Sequence, residues 1–276
     1  MIFLVDACYF AMRLARKALL PRDVPRRWAR WIPGMNPSVG SVEAARIVRN
    51  YRRHFRTLRP AWVQGATVLE VGIGETNATG YELAAQGAAR CYAFEPFAPL
   101  DDAADREALR RCEEQHGRTG LRECVTRIND TATLGAGVAD IILSNSVLEH
   151  VGDLNAVAAE LRRLLAPGGC MLHRVDYRDH FFAFPYHHLL WSDRVWERFL
   201  NPGDLPRWRI GDHVAAFRRH GCMVKVLHAG HLPDEFAKVR GRVHPRFAQR
   251  SEEDLRTTTG VLCVTAQGSS APTAAA

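Results

Sequence analysis

A chain of 276 residues that is 47% hydrophobic and 24% charged can bury a large core, and one main domain with appendages is the expected organisation. Its seven cysteines form no Cys-x-x-Cys pair, which counts against a disulfide framework and points to a reducing compartment, the cytoplasm. The net charge of +7 is unevenly held: residues 1–59 carry 13 Lys+Arg against 3 Asp+Glu, and the remainder 24 against 27. A basic chain could bind nucleic acid, but here the basic residues are not interleaved with stacking aromatics on a readable module, so no nucleic-acid partner is expected.

In chain order, Met1–Val5 is apolar but is interrupted by Asp6, so it is too short to span a bilayer and lacks the layout of a secretory signal. From Phe3 to Leu20, the apolar Phe3, Phe10, Leu14 and Ala18 recur at near-helical spacing, with Arg13, Arg16 and Lys17 opposite. A helix of this kind can rest in a membrane interface, giving peripheral contact through residues 1–20 at the inner face of the membrane. It can equally cover the domain core or pair with a second copy as a homodimer, and packed amphipathic helices are the commoner case. Pro21–Pro37 reads as a linker whose Trp28 and Trp31 pack onto the body. Ser41 opens a second helix with an apolar stripe at Val42, Ala45, Val48, Phe55 and Leu58, and Pro60 closes it. Residues 1–60 therefore read as a basic helical arm, 61–267 as the main domain and 268–276 as a disordered tail.

The main domain begins with Val68-Leu69-Glu70-Val71, a buried-strand pattern that runs into Gly72-Ile73-Gly74. Glycine there allows positive φ and close approach of backbone to a ligand, and the helix expected next presents free N–H groups. A dinucleotide site wants a third glycine where this chain has Asn77. Cys91-Tyr92-Ala93-Phe94 is a second strand ending at Glu95, about where doubly wound folds grip a ribose diol. Cys124–Ile128 is a third strand followed by Asn129 and Asp130, and Ala139–Val151 contains a fourth, Ala-Asp-Ile-Ile-Leu-Ser-Asn-Ser-Val-Leu-Glu-His-Val. Leu161–Gly169 leads into a fifth, Met223–Leu227 is a sixth and Gly260–Thr265 a seventh. Alternating strands and helices predict an α/β fold: a three-layer, doubly wound, mostly parallel sheet.

These motifs, in this order, resemble class I S-adenosylmethionine-dependent methyltransferases. The resemblance covers roughly residues 60 to 177 and includes the small-molecule subgroup with a Ser-Asn-Ser-Val-Leu-Glu-His type fourth strand. It implies a seven-stranded Rossmann-like sheet with an antiparallel last strand and S-adenosyl-L-methionine as cofactor. It also implies cofactor contacts from Glu70, Gly72, Gly74, Glu95 at the ribose hydroxyls, Asp130 near the adenine, and Asn145.

Residues 178–210 interrupt the pattern with Arg178-Asp179-His180-Phe181-Phe182-Ala183-Phe184-Pro185-Tyr186-His187-His188, followed by a short helix capped at Ser192. The insert follows strand five, where open α/β sheets place ligands, and it reads as a substrate lid; the plainer alternative is a hydrophobic cover that completes the fold. Methyl transfer to a hydroxyl needs a base of near-neutral pKa. His180 is the first candidate, oriented by Asp176 or Asp179, and His150 is the second, with a capping or core role as its alternative. His187 and His188 read as substrate contacts or surface residues. A metal set of Asp176, His180 and His188 matches no ligand spacing, so no metal is expected. Arg174, Arg178, Arg194 and Arg198 would suit an acidic acceptor. The absence of Asn/Asp-Pro-Pro-Tyr after strand four counts against nucleobase or amide targets.

The leading expectation is O-methylation of a small-molecule or glycan acceptor: a sugar, a glycan precursor or a specialised metabolite. Two other readings stay open, a cofactor-silent methyltransferase-like binding or scaffold subunit and a nicotinamide-dependent oxidoreductase.

Overall fold

The computed structural model describes residues 2–19, 43–55, 61–181, 184–201, 203 and 205–268. The expected linker, Trp28, Trp31, Ser41, Pro60 and the tail beyond Gly268 lie outside them. The strands are β1 (Thr67–Val71), β2 (Arg90–Phe94), β3 (Val125–Ile128), β4 (Ala139–Asn145), β5 (Leu165–Asp176), β6 (Cys222–His231) and β7 (Thr257–Ala266). They form one sheet in the order β3-β2-β1-β4-β5-β7-β6. β1 to β5 pair in parallel, and β7 runs antiparallel between β5 and β6. This is the seven-stranded Rossmann-like methyltransferase architecture that the sequence predicts.

Six helices matter for the site: α1 (Ile2–Leu19), α2 (Ala44–Phe55), α3 (Ala78–Ala85), α4 (Asp102–His116), α5 (Leu154–Leu164) and α6 (Ile210–Arg219). The central strands have no wet face, so their side chains feed two cores. On one face Leu69, Ile142, Met171 and Leu262 meet Leu161 of α5 and Phe217 of α6. On the other, Val68, Ile141, Leu143 and Cys170 meet Leu83 of α3 and Val48, Tyr51 and Phe55 of α2. α2 is thus built into the layer that covers β1. All seven cysteines are free.

α1 docks on the 178–210 insert by a face that differs from the expected apolar stripe. Tyr9 and Arg13 are buried, whereas Leu14 is exposed. Tyr9 and half-buried Phe10 join Phe181, Trp196, Leu200 and Leu205 in a separate aromatic cluster. Both polar inward residues donate hydrogen bonds to the Asp179 carboxylate, and Arg13 lies 4.6 Å from the Phe181 ring. Among the described residues, no helix is long and apolar enough to cross a membrane.

Candidate active site

The donor half starts at the β1–α3 turn. Gly72 and Gly74 have φ of +77° and +80°, a region that L side chains rarely adopt. Gly72 has a second reason to be glycine: a Cβ there would lie 2.4 Å from Val147 Cγ2. The first motif and the loop after β4 are therefore in direct contact, across 75 residues of chain. Glu95, at the end of β2, accepts from Gly74 N at 2.9 Å, and its other oxygen accepts from Phe97 N and Ala98 N at 3.0 Å. The carboxylate holds the glycine turn and its own loop in place. Asp130 stands exposed after β3, where it caps the following turn by accepting from Ala132 N at 2.8 Å.

Glu70 is 4% exposed, and its Oε2 is buried with no hydrogen-bond partner. Burial pushes its carboxyl up to about 8, against a lowering by the hydrogen bond from Tyr51 of α2. A carboxyl held near neutrality with one unsatisfied oxygen awaits a cation or a donor, because a buried lone pair left unpaired is costly. An ammonium fits that need.

Asn77, at the third-glycine position, is buried and bound to α4: its N and Nδ2 donate to Asp105 at 2.7 and 3.3 Å. Arg127 of β3 completes the donor half by donating to Gly74 O at 2.7 Å and Ala98 O at 2.8 Å, and to Asn77 Oδ1 at 3.3 Å. One guanidinium thus ties the glycine turn to the Glu95 loop. Neither Tyr51 nor Arg127 carries a local sequence signal, since each acts only through contacts distant in the chain.

The acceptor half is built at the C-terminal ends of β4 and β5. Asn145 ends β4, half-buried, and Ser146 follows with φ of +56°, uncommon outside glycine. That turn is held by Ser146 N donating to Arg174 O at 2.8 Å and Arg174 Nη1 donating to Ser146 Oγ at 3.2 Å. Arg174 is thereby occupied in positioning the loop. Beyond it, a cleft is lined by Glu149, Asp176, Tyr177, Arg178, His188, Leu205, Arg207 and Trp208.

His150, half-buried, and His180, exposed, meet beside Glu149 and Asp176 of that lining, with ring centroids 5.1 Å apart. A ring nitrogen of each and a Glu149 carboxylate oxygen lie within 4.8 Å of one another. Asp176 Oδ2 is 3.8 Å from His180 Nε2, an ion-pair distance. Burial raises the Asp176 carboxyl, but Arg178, which donates at 2.9 and 2.5 Å, outweighs that and holds it below the usual range. Asp176 therefore stays ionised beside His180. Glu149 is 2% exposed with an unpartnered Oε2. Burial drives it up to about 8, and the Asp176 charge adds to the rise.

Several expectations for the lid are corrected. Asp179 does not orient His180, because Arg13 and Tyr9 of α1 consume it. His187 and His188 are buried rather than at the surface: His187 packs against Tyr9 and Phe184, and His188 against Trp196 with Nε2 3.3 Å from Arg209 Nη1. The metal set Asp176, His180 and His188 does not converge; among the described residues the groups that do are Glu149, His150 and His180, and Glu82, Cys112 and His116. Arg178 faces Asp176, while Arg194 and Arg198 are exposed.

Two buried arginines absent from the sequence reading pin the lid. Arg207 donates to His188 O, Trp191 O and Asp193 Oδ1 at 2.9, 2.8 and 2.5 Å. Arg209, fully buried, donates to Tyr177 O and Leu255 O at 2.8 Å and to Asp254 O at 3.0 Å. Carbonyl acceptors take most of the donors of both cations, with the Asp193 carboxylate beside Arg207. The sequence signal was available in the polar Arg207-Trp208-Arg209 run within an apolar context, but arginine is ordinarily a surface residue.

Residues 43–228 match the family model described as a methyltransferase domain. No curated protein matches the chain. Solved structures similar to it include phosphoethanolamine N-methyltransferase 2 from Haemonchus contortus in complex with S-adenosyl-L-methionine, at 13% identity and a TM-score of 0.49, covering 79% of this chain and 53% of that one. An S-adenosylmethionine-dependent methyltransferase from Mesorhizobium loti is similar at 17% identity and a TM-score of 0.43, with 73% and 91% covered. The YcgJ protein from Bacillus subtilis is similar at 15% identity and a TM-score of 0.45, with 79% and 99% covered. With the family model matching most of its length, the chain belongs to the methyltransferase domain family.

Proposed function

We propose that the protein is an S-adenosylmethionine-dependent O-methyltransferase acting on a hydroxyl of a sugar, a glycan precursor or a specialised metabolite. The observation that carries this reading is the meeting of His150, His180, Asp176 and Glu149 at the end of β4 and β5, one turn away from the contact between Val147 and Gly72.

The donor of this family is S-adenosyl-L-methionine, which supplies a methyl group already bonded to a good leaving group. The chain's own residues have three tasks. Gly72, Gly74 and Glu95 would form the floor of the donor site, with Asp130 and Asn145 at its edges, and Glu70 would hold the cofactor's ammonium on its unsatisfied oxygen. The lid excludes water and fixes the acceptor, which is most of the work in an in-line displacement. With the donor bound, a hydroxyl acceptor would take the methyl group while the carbon–sulfur bonding pair stays with sulfur, and His180 would be the residue that takes the hydroxyl proton. Asp176 keeps the imidazolium that results, and His150 stands beside it as the second imidazole. A base of this kind contributes roughly 10²- to 10⁴-fold.

Two measurements test the reading. Calorimetry should show S-adenosylhomocysteine binding to the wild type and none to Gly72→Arg. Mass spectrometry of host extract incubated with the protein and the donor should show a product heavier by one CH2 and carrying it as a methyl ether. Absence of homocysteine-cofactor binding, or methylation at nitrogen or carbon instead, would sink it.

A further inference from the structure

α1 is amphipathic in the reverse of the usual sense for a helix on a globular protein. Asp6, Tyr9, Phe10 and Arg13 turn inward, and the two most polar of them end in buried or half-buried ion pairs: Arg13 with Asp179, and Asp6 with Arg242. The opposite half of the helix, residues Val5, Ala7, Cys8, Ala11, Met12, Leu14 and Ala15, is exposed and carries no charge and no hydrogen-bonding side chain apart from the thiol. Val5, Met12 and Leu14 keep 40%, 40% and 41% of their surface in water. At 100° per residue these seven positions fill one continuous half-turn. The charged inward face cannot rotate out to water without breaking the Arg13–Asp179 pair, so the apolar face is held outward by the fold.

We propose that this face is an interfacial docking surface for an anionic membrane, which seats the lid against the lipid headgroups. Charge selects the occupant. Residues 14–31, which continue the chain from this helix, contain six basic residues (Arg16, Lys17, Arg22, Arg26, Arg27, Arg30) against the single acid Asp23. Each basic residue near an anionic surface adds about 1 kcal/mol of attraction. The same charge opposes a second copy, which would bring two such segments together. Size opposes it too: seven residues, four of them Ala or Cys, fall well short of the roughly 20–30 residues a stable interface uses on each side. Lying in the interface suits a helix that is not apolar enough to span. The inference stands apart from the methyl-transfer reading, because its test measures binding alone.

The test is co-sedimentation of the full chain with vesicles of phosphatidylcholine, alone or mixed with phosphatidylglycerol, alongside the variant Met12→Glu/Leu14→Glu. Both substituted positions point to solvent, and S-adenosylhomocysteine binding and a thermal melt check that the variant is folded. The full chain should pellet with the phosphatidylglycerol vesicles and stay in solution with phosphatidylcholine alone. The variant's partition should drop by about tenfold or more. Wild type left in the supernatant of the anionic vesicles overturns the proposal, whether or not the variant folds. So does a folded variant that pellets as well as wild type, or a wild-type dimer by light scattering that the variant turns into a monomer.

Discussion

The donor half and the acceptor half of this site are built by different means. The donor half uses main chain: Glu95 grips Gly74, Phe97 and Ala98 through their N–H groups, and Arg127 grips two carbonyls. Its shape is set by two left-handed glycines. The acceptor half uses side chain against side chain, drawn from α1, the β4 and β5 ends and the lid. The Arg13–Asp179 pair at its centre is buried, and its partners are as far apart in sequence as Tyr9 and Asp179, 170 positions. One half is a cradle of main-chain groups, and the other is an assembly of side chains from remote segments.

Four perturbations can break or sharpen that division. The largest effect is expected in the acceptor half from His180→Ala, which should lower turnover by roughly 10²- to 10⁴-fold while S-adenosylhomocysteine affinity by calorimetry stays near wild type. A turnover within about threefold of wild type, a barrier change of ~0.7 kcal/mol, removes His180 as the base. Asp179→Ala comes next. It strands the Arg13 charge in a site where both partners are nearly fully buried, a loss of about 3–5 kcal/mol. Denaturant unfolding should show it, with proteolysis appearing first in α1, and cofactor affinity should hardly move. If affinity falls in step with stability, the two halves are not separable.

Gly72→Ala probes the seam between them. It forces an L residue to φ of +77° and a methyl group into Val147 Cγ2, with backbone strain alone worth about 1–3 kcal/mol. The expected loss of cofactor affinity is roughly tenfold or more, and the Gly72→Ala/Val147→Ala double variant should recover only the part due to the clash. Full recovery would mean that φ carries no cost there.

The smallest effect is a pH slope. Glu70 is raised to about 8, so between the usual carboxylate range and that value the native state binds the proton and the unfolded chain does not. Stability contributed by this group therefore falls as pH rises through that window. Binding of a cation beside Glu70 releases the proton, so cofactor affinity should rise severalfold from roughly pH 6.5 to 8 and level off above. Glu70→Gln should flatten the profile. A slope that persists in Glu70→Gln assigns the titration to another group.

The strands were legible because a buried parallel sheet writes near-continuous apolar runs, and the glycine turn because it writes a fixed local pattern. Glu95 and Glu70 stand out in the sequence through the resemblance of the motifs that contain them. Asp179 was misread because the neighbouring His180 was the nearest partner in sequence, while the partners in space come from α1. Glu149 sat in the fourth-strand motif in plain view, yet only burial shows that its oxygen is unpaired. Tyr51, Arg127, Arg207 and Arg209 had no pattern to announce them, since each is defined by which distant carbonyl or carboxyl it reaches.

By itself, then, the sequence determined the sheet, the family and the glycine turn, all of which rest on short-range periodicity and on glycine's freedom at positive φ. Tertiary structure alone decided which histidines and carboxyls come together, that α1 turns its charges inward, and that Gly72 must leave room for Val147. Those outcomes depend on contacts made only when remote segments close on one another, and on the cost of leaving a buried charge or oxygen unpaired. No window of neighbouring residues contains that information.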